Sequence, residues 1–269
     1  NMYISLEPCS HYGKTPPCTK KIIKSKIKNV FYAFTDIDTR SSNKAEKILK
    51  KRGINVKKNF MLSNAKSLYK SYKVIKNTLY PYITAKIACT KNYQIKSKTK
   101  YITNEHSLKI SHLLRYKNQG ILTSYKTIND DNPLLNCRLN GLENFSPTKF
   151  ILDKNLKIKI KSNVINYRLK SRVFIFYNKK NSKFKKLTKR GIKLLYAPLD
   201  KNNNLDINYV LKKIKSLGIN YLLLEFGKKL TYYFIENKLI NEFFLFKSNK
   251  KVKKTNNIKI FDIKKKLNI

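Results

Sequence analysis

The sequence has 269 residues, 41% of them apolar, and a formal net charge of +45 from 60 basic and 15 acidic residues. This length and apolar content suit one large or two small globular domains and exclude a disordered chain. Only seven of the basic residues are arginine, and the lysines are spread along the whole sequence. Specific nucleic-acid binders depend on arginine, so specific nucleic-acid recognition is not expected, although weak, salt-sensitive binding stays open.

The number of cysteines and the hydropathy of the sequence indicate the cellular compartment of the protein. Four cysteines in so long a chain do not form a disulfide framework, and no apolar run approaches the about 20 residues of a membrane-spanning helix. We therefore expect a soluble, cytoplasmic protein without a membrane partner. Cys89 and Cys137 are predicted as small apolar core residues.

Residues 1–59 alternate between strands and helices. The pattern predicts strands at 2–6, 29–35 and 54–56 and helices at 17–27 and 42–52. Ser41 or Ser42 would cap the second helix, and Gly53 would end it. This β-α-β-α-β order predicts a parallel sheet with helices on its faces. A helical connector is predicted at 60–78.

The alternation starts again at residue 79 and continues through 269. Strands are predicted at 82–89, 120–123, 148–152, 172–176, 192–196, 221–224, 241–246 and 257–262. Helices are predicted at 105–117, 181–190, 206–217 and 228–237, with a proline-containing loop at 124–138. Residues 219–224 are continuously apolar, which indicates a central strand buried on both faces. Ligands of such sheets bind where the carboxyl ends of strands meet the following turns.

Two cysteines flank the first strand-to-helix turn, in the run LEPCSHYGKTPPC at 6–18. Cys18 would begin a helix, where backbone N–H groups stabilise a thiolate, and thiolates bind zinc. A strand, Pro-Cys, a loop and a second Cys at a helix start form half of the zinc site of a nucleobase deaminase; His-x-Glu is the other half. The sequence contains no His-x-Glu, so Cys9 and Cys18 are predicted as ligands of a partial site. The alternative is a pair of inert cysteines beside a turn.

The run at 6–18 resembles the deaminase domain of the bifunctional riboflavin-biosynthesis deaminase/reductase family, which has the same long spacing between its cysteines. The resemblance implies a truncated, cytidine-deaminase-like unit at 1–59, whose first strands and His-x-Glu helix are missing. Residues 79–269 resemble the family's reductase domain, an α/β fold similar to that of dihydrofolate reductase. The segments that carry this second likeness are AKIACT at 85–90, YIT at 101–103, ILTS at 121–124, DNPLLNCR at 131–138 and EFG at 225–227.

The resemblance also implies an activity and a set of site residues. The reductase would transfer a hydride from NADPH to the ribose of 5-amino-6-(5-phosphoribosylamino)uracil and give the ribitylamino product. The residues it assigns to the cofactor are Thr99, Tyr101, Thr127, Asp131, Glu225 and Gly227, and those it assigns to the phosphoribosylated substrate are Arg115, Leu135 and Arg138. It further implies a homodimer. The deaminase half would need a separate polypeptide with His-x-Glu, and this chain alone is not expected to deaminate.

The reductase residues have a physical logic of their own. Arginine forks bind phosphate at two points, which suits Arg115 and Arg138 in so lysine-rich a chain. Backbone N–H groups of the 225–227 turn suit a pyrophosphate. Other interpretations stay open: Arg115 could pair with the end of its own helix, Asp131 could be a turn residue, and Glu225 could cap the following helix.

Four residues depart from the family pattern: Asn92, Tyr93, Lys154 and Phe226. Lys154 stands where a serine contacts the cofactor, and Phe226 could crowd the phosphates in a turn that normally carries a small residue. The changes at Asn92, Tyr93 and Phe226 favour an alternative function, a decayed relative that binds nucleotide or RNA through its lysine-rich surface without catalysis, whereas the intact loop at 131–138 favours catalysis. An RNA-editing deaminase is disfavoured by the long cysteine spacing. His112 is predicted as partly buried, without a catalytic role.

Overall fold

The computed structural model describes residues 1–91, 104–166 and 173–249 and divides the chain into two units, Asn1–Thr78 and Leu79–Ile269. Each unit is built from parallel strands joined by helices, which confirms the predicted α/β class. Within the described ranges, no helix combines the length and apolarity needed to cross a bilayer. Some predictions fall outside these ranges, namely those for the 257–262 strand, Asn92, Tyr93, Thr99 and Tyr101.

The first unit has a parallel sheet of three short strands. Its strands are Met2–Leu6 (β1), Asn29–Phe34 (β2) and Asn55–Lys58 (β3), which pair in that order. The helices Cys18–Lys24 (α1) and Ala45–Lys50 (α2) connect them. Apolar side chains of both helices and of the sheet form a small core, which includes Ile22, Val30, Leu49 and Ile54. The predicted β-α-β-α-β order is therefore confirmed.

The N-terminus of α2 is held differently from the prediction. Neither predicted serine caps it; instead the N–H of Ala45 donates to Oε1 of Glu7 at 3.1 Å. The other oxygen of Glu7 accepts the N–H groups of Asp36 at 3.1 Å and of Asn43 at 3.0 Å. Glu7 is 2% exposed. A buried carboxylate at the end of β1 thus organises the segment 36–45, because three backbone donors offset the cost of burying its charge.

The connector predicted as one helix consists of two, Leu62–Leu68 (α3) and Lys70–Asn77 (α4). They meet at Tyr69, whose φ of −94° and ψ of 8° depart from helical geometry. The Tyr69 ring stacks on Phe34 of β2 with a centroid distance of 5.3 Å, and its hydroxyl is hydrogen-bonded to Ser5 Oγ at 2.7 Å. These contacts with the sheet account for the break.

The second unit has a seven-stranded sheet in which every described pair of neighbours is parallel. Its strands in chain order are Tyr82–Cys89, Gly120–Ser124, Thr148–Leu152, Val173–Tyr177, Lys193–Tyr196, Tyr221–Leu224 and Glu242–Lys247 (β4 to β10). They lie side by side in the order β10-β4-β9-β5-β6-β7-β8. The predicted central strand is confirmed, because β9 lies between β4 and β5 and Leu222, Leu223 and Leu224 are at most 2% exposed.

Helices and apolar side chains cover this sheet. The helices are Glu105–Lys117, Tyr125–Asp131, Asn163–Asn166, Lys183–Lys189, Ile207–Ser216 and Lys228–Glu236 (α5 to α10). Successive residues of a strand point to opposite faces, so Leu122 and Phe150 belong to one core cluster and Ile121 and Ile151 to another. Part of the loop predicted at 124–138 is the short helix α6. Ser124 Oγ accepts the N–H of Thr127 at 3.3 Å and caps that helix.

Candidate active site

The carboxyl ends of β4, β9 and β5 lie next to one another, and the strand order reverses at this place. The chain passes from β4 to β5 and fills the gap only later, with β9. Ligands of open parallel sheets bind outside the carboxyl ends at such a reversal. The loop 132–138, the turn 225–227 and the end of α5 carry most of the predicted reductase residues, and the structure brings all three together through the contacts described next.

Arg115 on α5 and Glu225 after β9 form a two-point ion pair. Arg115 Nε donates to Glu225 Oε1 at 2.8 Å and Nη2 donates to Oε2 at 2.9 Å. The two side chains are only 12% and 13% exposed. Arg115 Nη1 also donates to the carbonyl oxygen of Asn136 at 3.2 Å. The two alternatives in which Arg115 pairs with its own helix end and Glu225 caps the next helix are therefore wrong.

The electrostatics of the pair depend on its shielding from water. Burial by itself would raise the pKa of Glu225, but the charges of Arg115 and Lys86 and the hydrogen bonds from Arg115 lower it to about 2. Lys86 Nζ, on β4, is 3.9 Å from Glu225 Oε2. Two cations thus face one carboxylate, so this edge of the sheet keeps a positive potential, which favours a phosphate-bearing ligand.

The loop after α6 has a fixed and partly strained backbone. Leu135 has a φ of +51°, a region that branched side chains avoid, and it is 1% exposed. Its neighbour Asn136 is held through its carbonyl oxygen, which accepts from Arg115 and lies 3.1 Å from Nδ1 of His112. The backbone N–H of Arg138 lies 3.3 Å from the same Nδ1. Two residues of α5 therefore fix the loop that carries two of the predicted substrate residues.

Arg138 differs from Arg115 in its surroundings. It is exposed, and its Nη1 donates to the side-chain oxygen of Asn136 at 3.1 Å. Among the described residues, no carboxylate lies within ion-pair distance of Arg138. The site thus contains one neutralised, shielded arginine and one exposed arginine whose charge is available to a ligand.

Two predicted cofactor residues lie on α6, directly after β5. Thr127 is in its first turn, where its hydroxyl lies 3.2 Å from Ser124 Oγ. Asp131 is its last residue and is exposed, immediately before Asn132, which ends the helix with a φ of +43°. Asp131 is therefore a residue at a helix end. Both residues occupy the carboxyl side of β5, on which a ligand of this sheet would lie.

The turn 225–227 joins β9 to α10. Thr123 Oγ1 donates to the carbonyl oxygen of Glu225 at 2.7 Å, which ties the turn to β5. Gly227 precedes α10 with a φ of −72° and a ψ of 170°, a conformation open to any residue. Apart from its chain neighbours, no described heavy atom lies within 4 Å of the position that a Cβ on Gly227 would take. The fold itself does not require glycine here, and the open space beside a helix N-terminus fits a phosphate group.

Two departures from the family pattern prove to be accommodated. Phe226 is 8% exposed and packs against Phe234 with a ring-centroid distance of 5.3 Å, so its side chain lies in the core. The expectation that Phe226 could crowd phosphates in the turn is therefore wrong. The Lys154 side chain extends towards the loop after β8. Its Nζ donates there to the backbone oxygen of Asn203 and, at 2.8 Å, to the Asn203 side-chain oxygen.

In the first unit, the structure brings Cys9 and Cys18 together. The backbone N–H of Cys18 donates to Cys9 Sγ at 3.2 Å, and a hydrogen bond with Cys9 is the main cause that raises the pKa of Cys18. His11 contacts Ser41, since its Nδ1 lies 2.9 Å from Ser41 Oγ. Among the described residues, no three histidine, cysteine or acidic side chains are placed to hold a metal ion. The two thiols fit half of a zinc site, and a catalytic zinc needs three protein ligands.

Sequence reasoning missed two side chains of the candidate site, His112 and Lys86. His112 is 8% exposed, more buried than predicted, and contacts the loop that carries Arg138. A signal for it exists: His112 precedes Arg115 by three residues, and residues three apart share one face of a helix. Lys86 lies in the segment AKIACT that carries the family likeness, but its position beside Glu225 follows only from the pairing of β4 with β9.

Comparison with known proteins identifies relatives over most of the chain. The profile of the family described as RibD C-terminal domain matches residues 81–250. A riboflavin biosynthesis protein RibD from Aquifex aeolicus is 31% identical over 248 residues, which cover 91% of this chain and 68% of the relative. One from Bacillus amyloliquefaciens is 33% identical over 231 residues, 84% of this chain and 61% of the relative. This chain therefore spans roughly two thirds of the length of these relatives.

The fold comparison agrees with the sequence comparison. The solved structure of a diaminohydroxyphosphoribosylaminopyrimidine deaminase/5-amino-6-(5-phosphoribosylamino)uracil reductase from Thermotoga maritima superposes with a TM-score of 0.77. It is 27% identical in sequence, and the match covers 96% of this chain and 70% of the other. The expected fold, a dihydrofolate-reductase-like unit that follows a deaminase-like one, is thereby confirmed.

Proposed function

The chain belongs to the RibD family of riboflavin-biosynthesis proteins, and on that premise we propose that its second unit reduces 5-amino-6-(5-phosphoribosylamino)uracil with NADPH. The hydride would go to C1′ of the ribose and give the ribitylamino product. The observation that carries the proposal is Arg138: an exposed guanidinium, without a described carboxylate partner, at the carboxyl ends of the strands where the sheet reverses its order. An arginine in this position is suited to a sugar phosphate.

The substrate end of the site would be formed by the loop 132–138. Arg138 would bind the phosphate at two points. Arg115, neutralised by Glu225, would fix the loop through the Asn136 carbonyl, and its remaining N–H groups would orient the ribose. The buried side chain of Leu135 would hold the strained backbone of Leu135 itself in place.

The cofactor end would be formed by the turn 225–227 and α6. The first backbone N–H groups of α10, beside the open space at Gly227, would bind the pyrophosphate. Thr127 and Asp131 would form hydrogen bonds with the nicotinamide half from the carboxyl side of β5. NADPH supplies the hydride when it is bound, and the protein contributes orientation and a fixed field.

The first unit would contribute part of a deaminase. Cys9 and Cys18 would supply two ligands of a zinc ion, and the third ligand and the proton shuttle would come from residues other than those described. A separate polypeptide that completes this half, and a homodimer of the chain, are parts of the same proposal. No deaminase step is assigned to Cys9 and Cys18 alone.

The test is a turnover assay with the purified chain, NADPH and 5-amino-6-(5-phosphoribosylamino)uracil, followed by the absorbance of NADPH. We expect wild-type turnover and a loss of about a hundredfold or more in kcat/KM for Arg138→Ala, since two charge-assisted hydrogen bonds to phosphate are removed. The matched control is Arg190→Ala, an exposed arginine at the end of α8, which should leave kcat/KM unchanged.

Absence of turnover by folded wild-type protein at saturating NADPH would contradict the reductase proposal. Equal kcat/KM for wild type and Arg138→Ala would contradict the assignment of Arg138. A thermal shift with NADPH alone separates the two results, because stabilisation by NADPH reports the cofactor end of the site without the substrate.

A further inference from the structure

His112 is buried against the loop that carries Arg138. It lies on α5 and is 8% exposed. The charged groups that face it are Arg115 on the same helix, Arg138 on the loop and Glu225 after β9. A buried imidazole in this position has to satisfy its hydrogen bonds within the protein.

Nδ1 of His112 has two neighbours that make opposite demands. The carbonyl oxygen of Asn136 lies at 3.1 Å and accepts hydrogen bonds, whereas the backbone N–H of Arg138 lies at 3.3 Å and donates one. In a neutral imidazole, one nitrogen carries the hydrogen and the other has a lone pair, so Nδ1 serves only one of these neighbours.

The surroundings decide between the two tautomers. The Asn136 carbonyl already accepts from Arg115 Nη1 at 3.2 Å, so it does not depend on His112. The N–H of Arg138 has no acceptor among the described residues other than Nδ1. A lone pair on Nδ1, with the hydrogen on Nε2, therefore pairs Nδ1 with the N–H of Arg138 and leaves the Asn136 carbonyl to Arg115, whereas the opposite tautomer leaves the N–H of Arg138 unpaired.

The charge state fits the same arrangement. Burial, followed by the charges of Arg115 and Arg138, lowers the pKa of His112 below its ordinary value. The imidazole is thus kept neutral at neutral pH, with a lone pair available on Nδ1.

We propose that His112 is a positioning residue for the reductase site: its Nδ1 accepts the backbone N–H of Arg138 and fixes the loop from which the phosphate-binding guanidinium projects. The inference rests on the assignment of Arg138 in the proposed function. Protonation of His112 places a hydrogen on Nδ1 and removes the acceptor. The loop would therefore lose order at Arg138 as the pH falls, although Arg138 itself stays charged.

The test uses hydrogen exchange of the full chain, which needs neither substrate nor cofactor. At about pH 7.5, we expect His112→Leu to lower the protection of the Arg138 amide about five- to tenfold, the equivalent of one neutral hydrogen bond. His112→Asn should restore protection, because Oδ1 of asparagine can take the place of Nδ1. As the pH is lowered through the titration of the His112 ring, followed by NMR of its ring protons, the wild type should lose protection at Arg138 while His112→Asn keeps it, since asparagine does not titrate.

Kinetics supply an independent readout. His112→Leu should raise the KM for the phosphoribosylated substrate more than it lowers kcat, and His112→Asn should behave like the wild type. The proposal is overturned if His112→Asn is as poorly protected as His112→Leu, or if wild-type protection at Arg138 is unchanged once the His112 ring has been protonated. If His112→Leu does not fold, the comparison of wild type with His112→Asn across pH still decides. Failure of turnover alone, with the exchange pattern as expected, would overturn the reductase function and leave the positioning role standing.

Discussion

Arg115 and Glu225, 110 positions apart in the chain, are joined by hydrogen bonds of 2.8 and 2.9 Å and are nearly closed off from water. The pair links α5 to the end of the central strand β9. A buried arginine in such a pair has a structural role, because its charge is already neutralised by the carboxylate when a ligand binds. Phosphate binding would therefore depend on the other arginine, Arg138.

Glu225→Gln is expected to destabilise the protein strongly. It leaves the Arg115 guanidinium buried without a counter-charge, a change that costs about 3–5 kcal/mol in other buried pairs. Equilibrium urea unfolding followed by circular dichroism measures the change. The matched control is Glu105→Gln, which removes the exposed Glu105–Lys109 ion pair on α5, the helix that also carries Arg115. It should lower the free energy of unfolding by less than about 0.5 kcal/mol. Similar losses for both variants would show that the buried pair has no special role.

The contribution of Glu225 should disappear in acid. Its pKa is about 2 in the folded protein against 4.5 for a free side chain, so the folded state binds the proton less readily than the unfolded state. The ion pair therefore stabilises the fold fully above about pH 4.5, by on the order of 3 kcal/mol, and loses this effect as the pH falls towards 2. The difference in unfolding free energy between wild type and Glu225→Gln should shrink over this range; a difference that stays constant would refute the assignment.

Gly227→Ala tests whether Gly227 is required for NADPH binding or for the stability of the fold. The glycine has a φ of −72°, and a Cβ there would meet no described atom within 4 Å apart from chain neighbours. We expect unchanged stability and an affinity for NADPH weakened by about tenfold or more, because the methyl group would occupy the space of the phosphate. Calorimetric titration with NADPH measures the affinity. Gly13→Ala, also in open space but in the first unit, is the control and should bind NADPH normally.

Zinc should bind this chain only weakly. Cys9 and Cys18 offer two thiolates, whereas stable sites in proteins have three or four protein ligands. A mild chelator is expected to remove zinc completely, without change in the circular dichroism of the protein. One zinc per chain that survives dialysis against the chelator, and is lost in Cys9→Ser, would mean that the chain supplies a further ligand.

The order and type of the elements could be predicted because they follow from local patterns. The bounds of β4, β6, β9 and α5 agree with the prediction to the residue. Apolar runs and helix-capping residues are local sequence features, so they can be read from neighbouring positions. The short helix α6 was missed because its segment is polar and ends in Asn-Pro, which indicates a loop.

The site was predicted less completely than the fold, for a physical reason. Arg115 and Arg138 have the same side chain but different surroundings. Glu225, 110 positions further along the chain, neutralises Arg115, whereas Arg138 stays an exposed cation. In the same way, Glu7 holds α2 by contacts that span 38 positions, where a local serine cap was predicted. The charge state and burial of a residue depend on contacts with residues far away in the sequence. The periodicity of apolar residues does not predict such contacts.

The position of β9 also constrains how the protein is made. β4 leaves the ribosome long before both of its parallel neighbours, β9 and β10, whereas β5 can pair with β6 but lacks β9 until residues 221–224 arrive. Until then, β4 has no neighbouring strand and the sheet from β5 to β8 ends at an uncovered apolar edge, so both are prone to aggregation. Synthesis of β9 closes the gap between β4 and β5 and delivers Glu225 to Arg115 in the same event, so the candidate site is assembled late in translation, before β10 completes the sheet.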